Sequence, residues 1–176
     1  MPDQFRTAIA DILPSAEAVR ARLSVLSNRD RLSVAEFFSS VLSEVDMLVA
    51  TPGAEALSHD LGELRGIPSV TLMRMAGHWT LVGRALHEPG AIQPARPQIH
   101  AAIISLELTS GEAELAASIL GAQQGWVMAA VAAAVERTDA PGHVRLSLQG
   151  TRVFSPVVLA GTPRGLVFER RLPKSA

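Results

Sequence analysis

One run of the sequence combines side chains and backbone groups suited to binding phosphate. Residues 101–113 read AAIISLELTSGEA, in which an apolar, strand-like stretch ends in Thr109, Ser110 and Gly111 and an alanine-rich, helix-like segment follows. The N–H groups of a first helical turn have no partner within the helix, and the helix dipole adds partial positive charge there. Hydroxyl and N–H groups at such a junction bind phosphate, so the run predicts an anion site at Thr109, Ser110 and Gly111.

Two earlier apolar runs, typical of buried strands, also end in residues that could contact an anion. The runs are at 45–50 and 69–74. The residues at and after their ends that could take part are Thr51, Pro52, Gly53, Arg74 and His78. Because the carboxyl ends of parallel strands meet at one edge of a sheet, we expect these residues to lie near the phosphate-binding run.

Strand-like and helix-like segments alternate through the middle of the chain. In order, they are a strand at 45–50, a helix at 54–65 closed by Gly66, strands at 69–74 and 101–107, a helix at 111–124 and a strand at 126–136. The last run is rich in alanine, which favours helix, but an apolar run bounded by Gly125 and a turn at 139–142 is typical of a central strand. The alternation predicts an α/β fold with a doubly wound, mostly parallel sheet.

Three segments flank or interrupt this alternation within what we expect to be a single domain. They are N-terminal helices at 1–32, a loop-rich insertion at 76–98 and C-terminal strands at 143–171. The insertion, with a short strand at 79–82, has the character of a lid or of a surface loop, and its Trp79 could pack in the core or stack on a base.

Local signals define the ends of several of these elements. Ser15 is placed to cap a second N-terminal helix. Two Ser/Thr-x-x-Glu patterns, at 33–36 and 109–112, predict capping boxes that open helices. The C-terminal region is expected to form short antiparallel strands at 144–148, 153–159 and 166–170.

The composition excludes several classes of function. Of the 176 residues, 48% are hydrophobic, which predicts a sizeable core, and the net charge of −1 offers no basic field for nucleic acid. Without cysteine, disulfides, thiolate catalysis and cysteine–zinc sites are excluded, and no apolar run reaches the length of a membrane span. No metal site is predicted, because metal-ligand spacing is absent from His59, His87, His100 and His143. We expect a cytoplasmic protein that binds neither membrane nor nucleic acid.

The order of elements resembles the adenine/xanthine branch of the type I phosphoribosyltransferases. The resemblance covers residues 33–158, and the segments that carry it are DMLVATPG at 46–53, LRGIPSV at 64–70, RMAGH at 74–78, the run at 101–113, and residues 121–135. In that family, the counterpart of residues 101–113 binds phosphoribosyl pyrophosphate (PRPP). The resemblance therefore implies a nucleotide or phosphoribosyl ligand, Mg²⁺ if PRPP is bound, and a homodimer.

The sequence departs from the family pattern at the residues that carry the chemistry. The two acids that hold the ribose hydroxyls and help to organise Mg²⁺ are replaced by Ser105 and Leu106, with Glu107 next to them. Glu112 adds negative charge beside the phosphate loop, and Met75 replaces a lysine on the pyrophosphate side. Losing one preorganised electrostatic contact typically lowers a rate by about two to three orders of magnitude. Efficient transfer is therefore not expected from this site.

These observations leave three interpretations of function. In the first, the protein is catalytically degenerate and binds a nucleotide, a phosphoribosyl compound or an anion in a sensing or accessory role. The residues that would form this site are Ser105, Glu107, Thr109, Ser110 and Gly111. In the second, the protein is an active purine phosphoribosyltransferase whose catalytic contact is Glu107. In the third, the site is vestigial and the protein binds a partner.

Overall fold

A central sheet organises the chain, as the spacing of apolar runs predicts. The computed structural model describes residues 3–83 and 98–169. Within these residues the sheet contains the strands Met47–Ala50 (β1), Ser69–Met75 (β2), His78–Val82 (β3), Ile99–Leu108 (β4), Trp126–Arg137 (β5), Arg152–Phe154 (β6), Val157–Thr162 (β7) and Gly165–Phe168 (β8). The helices are Asp3–Ala10 (α1), Ala16–Ser24 (α2), Asn28–Val41 (α3), Glu55–Arg65 (α4), Glu112–Gln123 (α5) and Gly142–Leu148 (α6).

The strand order confirms the predicted doubly wound, mostly parallel sheet. The order is β3-β2-β1-β4-β5-β7-β8, and β6 also pairs with β5. Strand β1 runs parallel to β2 and β4, and β5 runs parallel to β4, β6 and β7. The antiparallel pairs are β2 with β3 and, at the C-terminal end, β7 with β8.

Alternate residues of the central strand β4 pack against different helical layers. Ala102 and Ile104 belong to the core cluster formed with α1 to α4, whereas Ala101 and Ile103 belong to the cluster formed with α5 and α6. A strand buried on both faces must be apolar throughout, which explains the continuous hydrophobic runs. This burial fixes the carboxyl end of β4, from which the loop at 109–111 leaves the sheet.

Several local predictions are confirmed. Helix α4 ends at Gly66, whose φ of 67° is the left-handed conformation that glycine adopts without strain. The alanine-rich run at 126–136 is strand β5, so burial at the centre of the sheet overrides the helical preference of alanine. Ser15 caps α2, since its Oγ accepts a hydrogen bond of 3.1 Å from the Ala18 N–H.

Both predicted capping boxes are wrong. Helix α3 already begins at Asn28, capped by Ser27, and its first turn is anchored by Asp30, which lies 2.6 Å from the Arg22 guanidinium. The box predicted at 33–36 therefore lies inside a helix. At 109–112, the residue that caps α5 is Gly111, with φ of 74° and no side-chain cap. The helix thus starts at residue 112, which would have been the third helical position of a box.

The C-terminal prediction is correct in part. The segment at 144–148 forms helix α6 instead of a strand, because Leu146 is buried whereas Val144 and Leu148 are exposed. The strand predicted at 153–159 is divided near Pro156, which cannot donate a ladder hydrogen bond. The two resulting strands, β6 and β7, run parallel to β5, so the C-terminal antiparallel pairing is that of β7 with β8. Most of the insertion predicted at 76–98 lies outside the described residues.

Candidate functional site

A cavity of about 460 Å³ lies at the carboxyl ends of β1 and β4. Three elements form its walls: the turn after β1, the end of β4 with the first turn of α5, and the inner side of α2, with Trp79 of β3 adding an aromatic ring. The lining residues are Arg20, Leu23, Ser24, Thr51, Pro52, Gly53, Trp79, Leu106, Glu107, Thr109, Ser110, Gly111, Ala113 and Glu114. Its volume suits a small organic ligand.

The loop from Thr109 to Gly111 is held in place by contacts behind it. The N–H of Gly142 donates a hydrogen bond of 2.7 Å to the Thr109 carbonyl, and the Arg145 guanidinium donates one of 2.9 Å to the Ser110 carbonyl. Among the described residues, nothing accepts a hydrogen bond from the N–H of Ser110 or Gly111. The loop therefore combines fixed carbonyls with donors that an anion could use.

A hydrogen-bonded chain of three buried side chains forms the floor of the cavity. Thr51 Oγ1 lies 3.1 Å from Ser105 Oγ, which in turn donates a hydrogen bond of 2.6 Å to Glu114 Oε1. Thr51, Ser105 and Glu114 are 4%, 1% and 4% exposed. Burial raises the pKa of the Glu114 carboxyl, although the Ser105 hydroxyl and the backbone N–H of Glu114 oppose this shift. The carboxyl consequently keeps its proton to a higher pH than an exposed glutamate does.

Glu107 lines the cavity, but its carboxylate is already paired. Its two oxygens lie 3.4 Å from Arg137 Nη1 and 4.0 Å from Arg20 Nε. Arg137 also contacts Asp139 at 2.7 Å, and this hydrogen bond raises the pKa of Arg137 and lowers that of Asp139. The side chains of Glu107 and Arg137 are 13% and 12% exposed, so the pair is only weakly screened by water.

The remaining predicted cations do not line the cavity. Arg74, near the end of β2, is the cross-strand partner of Trp79 in β3, with Nη1 3.8 Å from Glu112 Oε1 and its guanidinium 5.5 Å from the centre of the Trp79 ring. The side chains of Arg74 and Glu112 are 59% and 62% exposed, so this ion pair is screened by water. His78 is exposed at the start of β3 and is not among the lining residues.

The structure therefore brings together most of the site residues that the sequence predicts. Those at the cavity are Thr51, Pro52, Gly53, Glu107, Thr109, Ser110 and Gly111, with Ser105 directly beneath. Sequence reasoning missed Glu114 and the contribution of α2. A signal for Glu114 exists, because residues 114, 117 and 121 share one face of α5 and are all buried. An acid on such a face must lie against the sheet.

The side chains at the end of β4 do not fit a Mg²⁺ site of their own. Proteins hold Mg²⁺ in near-octahedral geometry, usually through one or two carboxylates together with water and substrate phosphates, whereas here Glu107 is paired with two arginines and Leu106 packs against the core. No group of three His, Asp or Glu side chains suited to holding a metal ion occurs in residues 3–83 and 98–169.

Comparison with solved structures identifies the fold. Adenine phosphoribosyltransferase from Thermoanaerobacter pseudethanolicus matches with a TM-score of 0.58 and 14% identity over 74% of this chain and 80% of that chain. The enzyme from Giardia lamblia matches with 0.61 and 15% identity over 79% and 83%. Orotate phosphoribosyltransferase from Aeropyrum pernix matches with 0.57 and 13% identity over 73% and 69%. The chain thus has the fold of the type I phosphoribosyltransferases.

The sequence itself gives no closer assignment. No protein-family model and no curated protein matches it. The identities to the solved structures are low, so the likeness extends to the fold, and the function must be argued from the cavity.

Proposed function

We propose that this chain is a phosphoribosyltransferase-like protein with a degenerate PRPP site, which binds a nucleotide or another phosphoribosyl compound in a sensing or accessory role. One contrast within the cavity carries the proposal. The N–H groups of Ser110 and Gly111 have no acceptor in the part of the chain that the structure describes, and the end of β4 offers no free pair of acids. Ser105 is hydrogen-bonded to Glu114, Leu106 is apolar and Glu107 is paired with arginine. Such a site can hold a phosphate without organising the charges that transfer requires.

The expected loss of rate follows from electrostatics. Phosphoribosyl transfer develops positive charge on the ribose while pyrophosphate departs, so fixed charges and Mg²⁺ supply much of the acceleration. In this proposal, Mg²⁺ enters only as the counter-ion of bound PRPP. Each missing contact typically lowers the rate by about two to three orders of magnitude, and at least two contacts differ here.

A thermal-shift titration tests the binding site. PRPP with Mg²⁺, AMP, GMP and inorganic phosphate are titrated against the wild type, Ser110→Asp and Ser15→Asp. Both serines accept an N–H at the start of a helix through Oγ, but only Ser110 lines the cavity. A ligand that binds the native state raises its Tm by mass action. We expect a shift for at least one phosphorylated ligand in the wild type and Ser15→Asp, and none in Ser110→Asp, because the new carboxylate repels the phosphate.

A turnover assay separates this proposal from an active enzyme. The position of Glu107 in the cavity wall favours the second candidate, a purine phosphoribosyltransferase with a divergent site. That function requires PRPP-dependent conversion of adenine, guanine, xanthine or orotate at ordinary rates, abolished by Glu107→Ala. If the purified protein shows such conversion, the degenerate-site proposal is wrong. If no phosphorylated ligand shifts the Tm, a vestigial site with a protein partner remains.

The proposal also covers the oligomeric state of the protein and its location in the cell. Within the described residues, no helix has the length and apolar character that crossing a membrane requires. We propose a homodimer that works in the cytoplasm without nucleic acid. Light scattering coupled to size-exclusion chromatography tests the dimer, and a mass corresponding to one chain would contradict it.

A further inference from the structure

The charges around the cavity are poorly suited to a polyanion. Among its lining residues, Arg20 carries positive charge, whereas Glu107 and Glu114 are acidic. The Arg20 side chain is 73% exposed and lies close to Glu107, so its charge is screened by water and partly balanced. Arg137 is directed to Glu107 and Asp139, and Arg74 to Glu112. Within residues 3–83 and 98–169, a pyrophosphate group at the cavity would meet little firmly held positive charge, whereas one phosphate can be held by neutral N–H donors and hydroxyls.

Glu114 gives the same cavity a strong acceptor of hydrogen bonds. It follows Gly111 by three residues, which corresponds to about 4.5 Å along the axis of α5. The hydroxyls of Thr51 and Ser105 lie in the same hydrogen-bonded chain. A carboxylate has about four lone-pair positions, so a single bond from Ser105 and one from its own N–H leave capacity for a ligand. The partners best suited to that capacity are hydroxyl groups.

The burial of Glu114 is costly for the fold alone. Its neighbours on the inner face of α5 are Ala117 and Gly121, and an apolar side chain at this position would need no hydrogen bond. A buried acid at the floor of a cavity is a functional candidate on physical grounds.

From these contacts we infer that Glu114 accepts hydrogen bonds from the hydroxyl groups of the ligand and that the cavity is a site for a sugar monophosphate. The phosphate of this ligand would lie on the loop at Ser110 and Gly111. The inference rests on the proposed function, which it narrows from phosphoribosyl compounds in general to monophosphates with free neighbouring hydroxyls. The acid that contacts the sugar then comes from helix α5 and not from the end of β4.

Isothermal titration calorimetry with three probes tests this assignment. The probes are ribose 5-phosphate, 2-deoxyribose 5-phosphate, which lacks one hydroxyl, and PRPP with Mg²⁺. The proteins are the wild type, Glu114→Gln and Glu112→Gln, the last being a matched control because Glu112 lies in the same helical turn but outside the cavity wall. A second variant, Glu114→Asp, keeps the carboxyl group but shortens the side chain by one methylene. It separates an effect on ligand binding from an effect of the new amide on folding.

The expected result is a preference for hydroxyls that depends on Glu114. A buried acceptor that is left without its partner carries the full cost of its desolvation, so we expect the wild type to bind ribose 5-phosphate about 10-fold or more tightly than the deoxy compound. This ratio should fall to about 3-fold or less in Glu114→Gln and Glu114→Asp, and persist in Glu112→Gln. PRPP with Mg²⁺ should bind no more tightly than ribose 5-phosphate.

The outcomes that overturn the inference are distinct from those that overturn the proposed function. Equal affinity for the two sugar phosphates in the wild type, or a preference retained in both Glu114 variants, removes the role of Glu114 but leaves the phosphate loop as a binding site. Tighter binding of PRPP than of ribose 5-phosphate by about 10-fold or more removes the monophosphate assignment. If neither sugar phosphate nor PRPP binds, the sugar-monophosphate inference fails, whereas the proposed function fails only if AMP, GMP and inorganic phosphate also leave the Tm unchanged.

Discussion

Replacing Gly142 by alanine should destabilise the protein and disturb the phosphate loop, although helix propensity predicts the opposite. Gly142 is the first residue of α6, where alanine is preferred over glycine by up to about 1 kcal/mol. An added Cβ would collide with the Thr109 carbonyl, and would lie 2.9 Å from Leu108 Cδ1 and 3.0 Å from Gly111 N. Two of these groups are backbone atoms of the phosphate loop and its flanks, so the clash cannot be relieved by a side-chain rotation.

The magnitude follows from three contributions. Over-packing of this kind costs about 1–3 kcal/mol, and losing the bond from the Gly142 N–H to Thr109 costs about 0.5–1.5 kcal/mol. The propensity gain offsets up to about 1 kcal/mol, which leaves a net loss of about 2 kcal/mol. In a chain of this length, 1 kcal/mol corresponds to about 2–4 °C, so the Tm should fall by about 4–8 °C. Because the collision moves the loop, the ligand-induced rise in Tm should also shrink.

Thermal melts with and without ligand measure both effects, and Gly121→Ala is the matched control. Gly121 also lies in a helix, but a Cβ there meets the end of the flexible Met128 side chain, which can move aside. We expect a change in Tm of no more than about 4 °C for this control, consistent with the propensity gain alone. A Gly142→Ala protein as stable as the wild type, with an undiminished ligand shift, would refute the idea that α6 holds the loop through close backbone contact.

Three further substitutions test the charges and the caps. Glu114→Gln should gain stability relative to the wild type as the pH rises. Because the pKa of Glu114 is raised in the native state, the native wild type binds more protons than the unfolded chain. The free energy of unfolding of the wild type therefore falls between the unfolded-state pKa and the native-state pKa of Glu114. Melts from about pH 4 to pH 8 test the sign, and a constant difference would contradict it. Arg137→Met should cost about 2 kcal/mol in urea denaturation, since two partly buried carboxylates lose their partner; a change below about 0.5 kcal/mol would show that water replaces the pair. Ser15→Ala should cost about 1 kcal/mol through the lost cap of α2, and a larger ligand shift than in the wild type would be unexpected.

The sheet could be predicted from the sequence because burial on both faces imposes long apolar runs. Strand β5 shows how strong this constraint is, since its alanines favour helix and yet it occupies the centre of the sheet. The segment at 144–148 shows the limit: valine, leucine and leucine alternate with polar residues as in a half-buried strand. In the structure these residues lie in helix α6, where Leu146 is buried and Val144 and Leu148 are exposed, so the three side chains do not share one buried face.

The candidate site could be predicted where it depends on the sheet and not where it depends on packing between distant segments. The loops after β1 and β4 meet because parallel strands end at the same edge. The contribution of Arg20 requires α2 to lie across that edge, and the pairing of Glu107 with Arg137 joins the ends of two strands. Neither contact leaves a local pattern in the sequence. Gly111 lies in the loop as predicted, but its φ of 74° moves the start of α5 to residue 112, and its backbone packs closely against Gly142.

The degenerate-site proposal treats phosphate binding and catalysis as separable properties of the cavity, and the charges around the cavity give its physical reason. Glu107 is paired with arginine, the exposed Glu112 lies 3.8 Å from Arg74 outside the cavity wall, and Glu114 is hydrogen-bonded at the floor. A carboxylate accelerates a reaction only if its interaction with the reacting group is stronger in the transition state than in the ground state. An acid already neutralised by a fixed arginine changes its energy little as ribose gains charge. A carboxyl that accepts hydrogen bonds from sugar hydroxyls stabilises the bound ligand and the transition state alike, which is the behaviour of a binding site.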